Sequence, residues 1–219
     1  MAAKCKINYV MLKVKGNIVK LDPDVYYRIV NTNPEFRRKF QRPLSLDKDG
    51  YISVRISSHP TKRQSLSHFV MDARPGQIVD HINGNPFDNR RVNLRLADFR
   101  QNKLNCKCTN ATGFYGVLIK EDRGYKYYFA QFYTKQGKRL TFNTPFTDEG
   151  LLLAALAHDR FVFQNKEEDY ARLNFENFKF KTFKYLLLNA DLDEIKKQIK
   201  NSPPLPAVIC PPKAHDHVI

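Results

Sequence analysis

The chain has 219 residues, enough for one large domain or two small ones, and 42% of them are apolar, which suits a globular core. Its 37 Lys and Arg residues outnumber its 22 Asp and Glu residues and give a net charge of +15, so polyanions should bind and the binding should depend on salt. The longest apolar run, Leu151 to Ala157, is too short to span a bilayer, and a membrane protein is therefore not expected.

The cysteines give little support to a metal-stapled or secreted protein. Cys5, Cys106, Cys108 and Cys210 form no Cys-x-x-Cys pair, so no structural zinc is expected, and Cys106 and Cys108 are interpreted as reduced thiols. Lysines stand where a secretory leader would begin its apolar region. An intracellular protein is therefore expected, in whichever compartment holds its target.

Residues 1–72 predict a small α+β segment. Asp22-Pro23 should open a helix, because Asp suits the cap and Pro the first helical position. A turn is predicted at Gly16-Asn17, between two strands that precede the helix, Ile7–Val14 and Ile18–Leu21. After the helix, the apolar pattern predicts a half-buried strand at Tyr51–Ile56 and a second helix at Ser65–Met71.

Residues 73–105 have the predicted order strand, loop, strand, helix. The strands are Gln77–Asp80 and Asn93–Leu96, and the loop between them contains Asn83-Gly84-Asn85-Pro86. Asp98 can cap a helix that runs to about Asn105. This order predicts that Asp80, His81, Asn93 and Asn102 come from successive elements of one small unit.

These side chains suit phosphodiester hydrolysis with one hard cation. Mg²⁺ or Mn²⁺ prefers oxygen ligands and keeps waters, and Asp80 and Asn102 can supply a carboxylate and an amide oxygen. His81, with a reference pKa of ~6.5, can take a proton from water near neutral pH. Asn93 can fix either the imidazole or the loop by hydrogen bonds.

Arg90 and Arg91 flank the loop and are predicted to hold phosphate oxygens. Each polar residue of this region, taken alone, is more often structural than catalytic. A catalytic role is favoured because Asp80, His81, Asn93 and Asn102 occur together, on successive elements, in a basic chain.

The run DHINGNPFDNRR and its surroundings resemble the HNH endonucleases, the ββα-metal group, and in particular those of phage and viral homing endonucleases. The resemblance implies His81 as general base and Asp80 as metal ligand, with Asn93 as support for the site. It implies Asn102 as the second metal ligand, in a position that His often occupies, and Asn105 competes for that position. The segment LSHFVM resembles the usual flank, and its His68 is expected to pack or to contact phosphate rather than to catalyse.

A second module is predicted at 112–175, after a polar linker at 106–111. Thr147, followed by two acids, should cap a helix whose Ala154, Ala155 and Ala157 allow close packing on a sheet. Tyr128, Ala130 and Phe132 are assigned to the core. The predicted strands are Tyr115–Lys120, Tyr127–Tyr133 and Lys138–Phe142.

The runs TGFYGV, FTDEG, AALAHDR and YARLNF resemble the ethylene-response-factor DNA-binding domain, the apetala-two domain. That resemblance implies a sheet that lies in the major groove of double-stranded DNA. The phosphate contacts it implies come from Lys120, Arg123, Lys126, Lys138 and Arg139. Tyr128 and Phe142 stand where the family has tryptophans, and Leu118 and Thr144 also depart from its pattern, so relaxed specificity is expected.

Residues 176–200 predict a helical tail, and residues 201–219, with five prolines, predict disorder. The expected fold class is α+β: a ββα-metal nuclease module, then a three-stranded antiparallel sheet packed on one helix. The expected function is a metal-dependent DNA endonuclease of the homing type, monomeric, and encoded by a virus, phage or organelle. The alternatives are a non-catalytic DNA-binding regulator with a degenerate nuclease module and, less favoured because the sheet lacks an aromatic ribonucleoprotein signature, an RNA-binding protein.

Overall fold

The computed structural model describes residues 8–32, 43–58 and 61–201, which divide into two compact units. The first unit contains the described residues up to Cys108 together with Glu167–Arg172. The second contains Thr109–Lys166 and the described residues from Leu173 onward. Cys5, Ile7, Cys210 and the predicted disorder at 202–219 lie outside the described residues, whereas Asn201 ends the last helix.

The first unit combines short antiparallel strand pairs with helices, which confirms the α+β composition. Two strands, β3 (Leu44–Leu46) and β5 (Thr61–Ser65), were not predicted because they are short or largely polar. They pair through their main chains with the two edges of β4 (Ile52–Ser58). In chain order the elements are β1 (Val10–Val14), β2 (Asn17–Leu21), α1 (Pro23–Thr32), β3 (Leu44–Leu46), β4 (Ile52–Ser58), β5 (Thr61–Ser65), α2 (Leu66–Met71), β6 (Ile78–His81), β7 (Leu94–Ala97) and α3 (Phe99–Leu104).

The turn between β1 and β2 lies one residue earlier than predicted. Its central residues are Lys15 and Gly16, with φ of 46° and 89°, whereas Asn17 already pairs with Val14. A two-residue hairpin of this kind needs positive φ at both central positions, because that twist matches the twist of the strands.

The core of the first unit joins the first hairpin, α1, β4 and α2. Burial of its apolar side chains contributes a stabilising free energy of about 25 cal/mol per Å² of apolar surface removed from water, and this burial holds the short elements together. Its members include Val19, Leu21, Val25, Ile29, Ile52, Val54, Leu66, Val70 and Leu94.

The pair β6 and β7 carries the polar motif. The strands are antiparallel, with Asp80 opposite Arg95 and His81 opposite Leu94. Asp98 caps α3 as predicted, since its carboxylate accepts the Gln101 backbone N–H at 2.7 Å and the Gln101 side chain accepts that of Asp98 at 2.8 Å. The motif residues are thus held by a strand pair and a capped helix.

The second unit contains a three-stranded antiparallel sheet with helices against it. Thr147 caps α4, and the predicted core residues Tyr128, Ala130 and Phe132 are buried. Ala154, Ala155 and Ala157 are completely buried, which confirms the close packing predicted for them. The elements are β8 (Val117–Asp122), β9 (Tyr125–Tyr133), β10 (Arg139–Pro145), α4 (Asp148–Gln164), α5 (Lys181–Asn189) and α6 (Leu192–Asn201).

No helix within the described residues is both long and apolar enough to cross a membrane.

Candidate active site

The loop between β6 and β7 is shaped by its own amide side chains. Asn83 Oδ1 accepts the backbone N–H of Asn85 at 2.8 Å, and Asn85 Oδ1 accepts that of Phe87 at 3.0 Å. Gly84 lies between them with a φ of +68°, a left-handed conformation that glycine adopts without steric cost. These bonds turn the chain directly after His81.

Asn93 is buried and fastens this loop. Its side chain accepts the Asn83 backbone N–H at 3.0 Å and donates to Asn83 Oδ1 at 3.0 Å and to the Asp88 carbonyl at 2.8 Å. Of the two roles left open by the sequence, fixing the loop is the one that these contacts support. Among the bonds of the described residues, none joins the Asn93 side chain to the His81 imidazole.

His81 is held instead by Asn89, which sequence reasoning missed. The Asn89 amide donates to the Pro86 carbonyl at 2.9 Å, so its Oδ1 is the atom that lies 3.3 Å from His81 Nε2. Because a carbonyl oxygen only accepts, Nε2 carries the proton and Nδ1 carries the lone pair. The asparagine-rich loop was the signal available for this contact, but the sequence did not show which amide would face the ring.

The environment of His81 favours its neutral form. Burial lowers the pKa of the imidazole below its usual value, and the hydrogen bond from Nε2 to Asn89 and the charges of Asp80 and Asp88 oppose this only in part. A buried imidazole with a lowered pKa is unprotonated at neutral pH. It is therefore chemically able to accept a proton from water.

Asp80 is buried beside two partners. Arg95 donates to its Oδ2 from Nε at 2.8 Å and from Nη2 at 2.6 Å. The Asn105 amide nitrogen lies 2.9 Å from Oδ1 and 3.0 Å from Oδ2, and it also donates to the His81 carbonyl at 2.8 Å. The strand register could have revealed Arg95, because opposite charges directly across an antiparallel pair attract.

Asn105 thus orients the Asp80 carboxylate through its amide N–H, whereas Asn102 keeps an unused oxygen. Among the described residues, the Asn102 side chain makes no hydrogen bond, although both Asn102 and Asp80 line one cavity. Asp80 Oδ1 accepts a hydrogen bond from Asn105 alone, which leaves it a lone pair for another partner.

The donor set on these two residues fits a hard divalent cation. A carboxylate oxygen and an amide oxygen are ligands that Mg²⁺ accepts, and Mg²⁺ keeps several waters in addition. Within residues 8–32, 43–58 and 61–201, no three His, Cys, Asp or Glu side chains gather as a metal site. A cation held by Asp80 and Asn102 stays a prediction.

The cavity has a volume of about 520 Å³. It brings together three of the four predicted motif residues, Asp80, His81 and Asn102, while Asn93 supports the loop behind it. Tyr51, whose ring centroid lies 6.4 Å from that of His81, forms another part of its wall. The lining of the cavity also includes Asp47, His68, Asn105, Lys107 and Arg172.

His68 lines this cavity, and a backbone carbonyl fixes the orientation of its ring. Its Nε2 lies 2.9 Å from the Gln77 carbonyl and must donate to it, so Nδ1 carries the lone pair of the neutral ring. Nδ1 is buried without a partner among the described residues. The packing or phosphate contact expected of His68 stays a prediction.

Arg90 and Arg91 are engaged with acids of the same unit. Arg90 forms a two-pronged ion pair with Asp88, at 2.7 Å for each bond, which also lowers the pKa of the Asp88 carboxyl. Arg91 pairs in the same way with Asp24, at 2.9 and 2.7 Å. Neither side chain lines the cavity, and the phosphate contacts expected of these two arginines stay a prediction.

The second unit presents the predicted cations on and around its sheet. Strand alternation places the core residues of β9 on one face and Phe129 on the other. Lys120 Nζ lies 4.4 Å and the Arg139 guanidinium 4.9 Å from the centre of the Phe129 ring. The other expected contact residues are exposed at the strand ends and turns: Arg123, Lys126 and Lys138.

The segment Glu167–Arg172 packs with the first unit, whereas the sequence predicted it as part of the second module at 112–175. The Arg95 guanidinium donates to the Asp169 carbonyl and lies 4.4 Å from the centre of the Tyr170 ring. Arg100 pairs with buried Glu167 at 2.5 Å. The segment therefore supports Arg95, the partner of Asp80, and sequence reasoning gave no sign of it because the contacts are remote in the chain.

The comparisons with known proteins give one family match. A family model described as HNH endonuclease matches residues 74–104, which confirms the HNH part of the resemblance and supports nuclease activity. Neither the curated proteins nor the solved structures compared with the chain include a match. The apetala-two part of the resemblance stays a prediction.

Proposed function

We propose that the first unit is a metal-dependent DNA endonuclease of the HNH type. One observation carries the proposal: Asp80, His81 and Asn102 line a single cavity in the part of the chain that matches the HNH endonuclease family. Their carboxylate, imidazole and amide groups are those that hydrolysis of a phosphodiester requires. A homing-type role and encoding by a mobile element remain predictions.

In this proposal His81 is the general base. Nε2–H is held by Asn89, so Nδ1 takes the proton as water attacks phosphorus. The Asn105 amide and Arg95 keep the Asp80 carboxylate oriented, and Asn93 keeps the loop after His81 in place.

Asp80 and Asn102 would hold the cation. When bound, a divalent cation stabilises negative charge on the phosphate and on the leaving oxygen.

The first test is nicking of supercoiled plasmid with Mg²⁺, with and without a chelator. His81→Ala should lower turnover by about 10²- to 10⁴-fold, the usual contribution of a general base, and should bind DNA nearly as well as the unchanged protein. His68→Ala removes the other imidazole of the cavity and is the matched control. A larger loss in His68→Ala than in His81→Ala would show that the wrong histidine carries the base role.

We propose further that the sheet of the second unit holds duplex DNA. Support comes from the cations grouped over Phe129, since guanidinium and ammonium groups can reach phosphates while the ring keeps them in place. The double variant Lys120→Gln/Arg139→Gln should weaken binding for all sequences alike. If both side chains contact phosphate, the slope of log K against log salt should fall by about 2.

The control for this experiment removes equal charge elsewhere on the second unit. Lys179 and Lys197 form exposed ion pairs with Glu176 and Glu194, which contribute little to stability. Lys179→Gln/Lys197→Gln should leave the salt slope nearly unchanged. Equal effects in the two double variants would mean that binding reports net charge and not the sheet face.

A further inference from the structure

Arg172 lies in the candidate active site although it is about 70 residues beyond the end of the matched motif. Its backbone N–H donates to the Leu104 carbonyl at 3.3 Å, and its Nε donates to the Asn105 carbonyl at 2.8 Å. It lines the same cavity as Asp80 and His81. The segment Glu167–Arg172, which belongs to the first unit, therefore brings a guanidinium group to the site from a distant part of the sequence.

The guanidinium of Arg172 has unused donors. Nη2 is buried and makes no hydrogen bond in the part of the chain that the structure describes. Buried polar groups in folded proteins are almost always paired, so an unpaired one calls for a ligand or water. Arg172 also forms no ion pair with a carboxylate of the described residues, unlike Arg90, Arg91 and Arg95.

Gly84 leaves the space that Arg172 occupies. A Cβ atom at position 84 would overlap Arg172 Nη2, and the positive φ of Gly84 disfavours other residues as well. The loop directly after His81 is thus moulded around this guanidinium. A side chain that served only to anchor the chain through Nε would not need its terminal nitrogen placed against the catalytic loop.

The charges of the cavity also favour an anion at Arg172. The Asp80 carboxylate is already offset by Arg95. Asp47 lines the cavity too, but its Oδ1 is engaged by the backbone N–H groups of Asp49 and Tyr51. A guanidinium whose planar fork matches two phosphate oxygens would balance a bound phosphodiester.

We propose that Arg172 binds the scissile phosphate and stabilises it during attack. The proposal rests on the proposed nuclease function and extends it, because it makes the active site incomplete within the HNH motif. A segment that the sequence places between two stretches of the second unit then supplies a catalytic group to the first unit. Arg172 contacts the substrate, while Asp80 and Asn102 would hold the cation.

The test uses the full chain and three measurements. Steady-state cleavage of a duplex oligonucleotide separates kcat from KM, hydrolysis of bis(4-nitrophenyl) phosphate probes the site without flanking DNA, and duplex binding with chelator present is followed over a salt series. Arg172→Ala should lower kcat by about 10²-fold, as loss of a donor to transition-state charge does. It should also reduce the salt slope by about 1, the effect of one lost phosphate contact.

Two additions separate binding of phosphate from support of the fold. Guanidinium ion added to Arg172→Ala should restore part of the turnover on both substrates, and Arg172→Lys should keep more activity than Arg172→Ala. The control Arg100→Gln/Glu167→Gln removes the ion pair that anchors the same segment without leaving a buried charge alone. It should keep nearly full turnover.

The outcomes distinguish the two proposals. If the unchanged protein cleaves and His81→Ala does not, the nuclease stands, and full activity in Arg172→Ala then overturns the role of Arg172 alone. Equal losses in Arg172→Ala and in the Arg100→Gln/Glu167→Gln control, without rescue by guanidinium, overturn it as well. If the unchanged protein does not cleave with Mg²⁺ or Mn²⁺, both proposals fail.

Discussion

Asn105→Asp tests the hydrogen bonds that orient Asp80. The substitution keeps the shape of the side chain but replaces an N–H donor, 2.9 Å from Asp80 Oδ1 and 3.0 Å from Oδ2, by a second carboxylate. Two unit charges about 3 Å apart repel by about 5 kcal/mol at an effective dielectric constant near 20. Both residues are buried, so water does not relieve the repulsion as it would at the surface.

Uptake of a proton limits this cost. Protonating a carboxyl of ordinary pKa at pH 7 costs about 4 kcal/mol, and the protonated group can then donate to its neighbour. Protonation costs less free energy than the repulsion of two charged carboxylates. We therefore expect Asn105→Asp to lose about 4 kcal/mol of unfolding free energy at pH 7. The folded-state pKa of the new carboxyl lies above its unfolded value, so the loss should shrink by about 1.4 kcal/mol per pH unit as the pH falls and should vanish near pH 4.

The assay is urea unfolding followed by far-ultraviolet circular dichroism at pH 7 and at pH 4.5, since the chain has no Trp for fluorescence. Asn102→Asp is the matched control. It makes the same chemical change inside the helix that Asn105 caps, at a side chain without a hydrogen bond, and should cost less than about 1 kcal/mol. A variant Asn105→Asp as stable as the unchanged protein at pH 7, or equally destabilised at both pH values, would refute the contact between Asn105 and Asp80.

Two further predictions concern the histidine and the second unit. Because burial lowers the pKa of His81 and the base must be unprotonated, kcat/KM for DNA cleavage should rise with pH and level off below pH ~6.5, and a midpoint above that value would contradict the buried imidazole. Gly116→Ala should cost about 2 to 5 kcal/mol of unfolding free energy, because φ is +67° and a Cβ would overlap the His158 ring. Gly137→Ala, at φ of +78° with open space around it, should cost only about 1 to 2 kcal/mol, and equal melting shifts in the two variants would show that the space around Gly116 is not confining.

The secondary structure around the site could be predicted from the sequence because it depends on residues that are close together in the chain. The capping box at Asp98, the helix cap at Thr147 and the alternation of β9 follow from residues within a few positions of one another. The short polar strand β5 could not be predicted, because its own composition does not favour a strand. It forms a strand because its main chain pairs with β4. The turn at Lys15-Gly16 was misplaced by one residue for a related reason: the strand twist, not the residue type alone, selects it.

The candidate site divides in the same way. The order and spacing of Asp80, His81, Asn93 and Asn102 are properties of the sequence, and they were enough to predict a base, a carboxylate and an amide from successive elements. Which asparagine holds the imidazole depends on the path of a loop, and the structure gives that place to Asn89. Arg90 pairs with Asp88, two residues before it, whereas Asp24, the partner of Arg91, lies far upstream and is brought beside it by the fold.

The sequence alone determined the basic charge, the HNH motif and the local signals that start and end its helix and strands. Only the tertiary structure decided how those groups are partnered: Arg95 and Asn105 on Asp80, and a remote guanidinium from Arg172 in the same cavity. The physical reason is the separation in sequence over which each interaction acts. Capping and strand alternation act over a few residues, whereas ion pairs and burial act through space between residues that the chain separates.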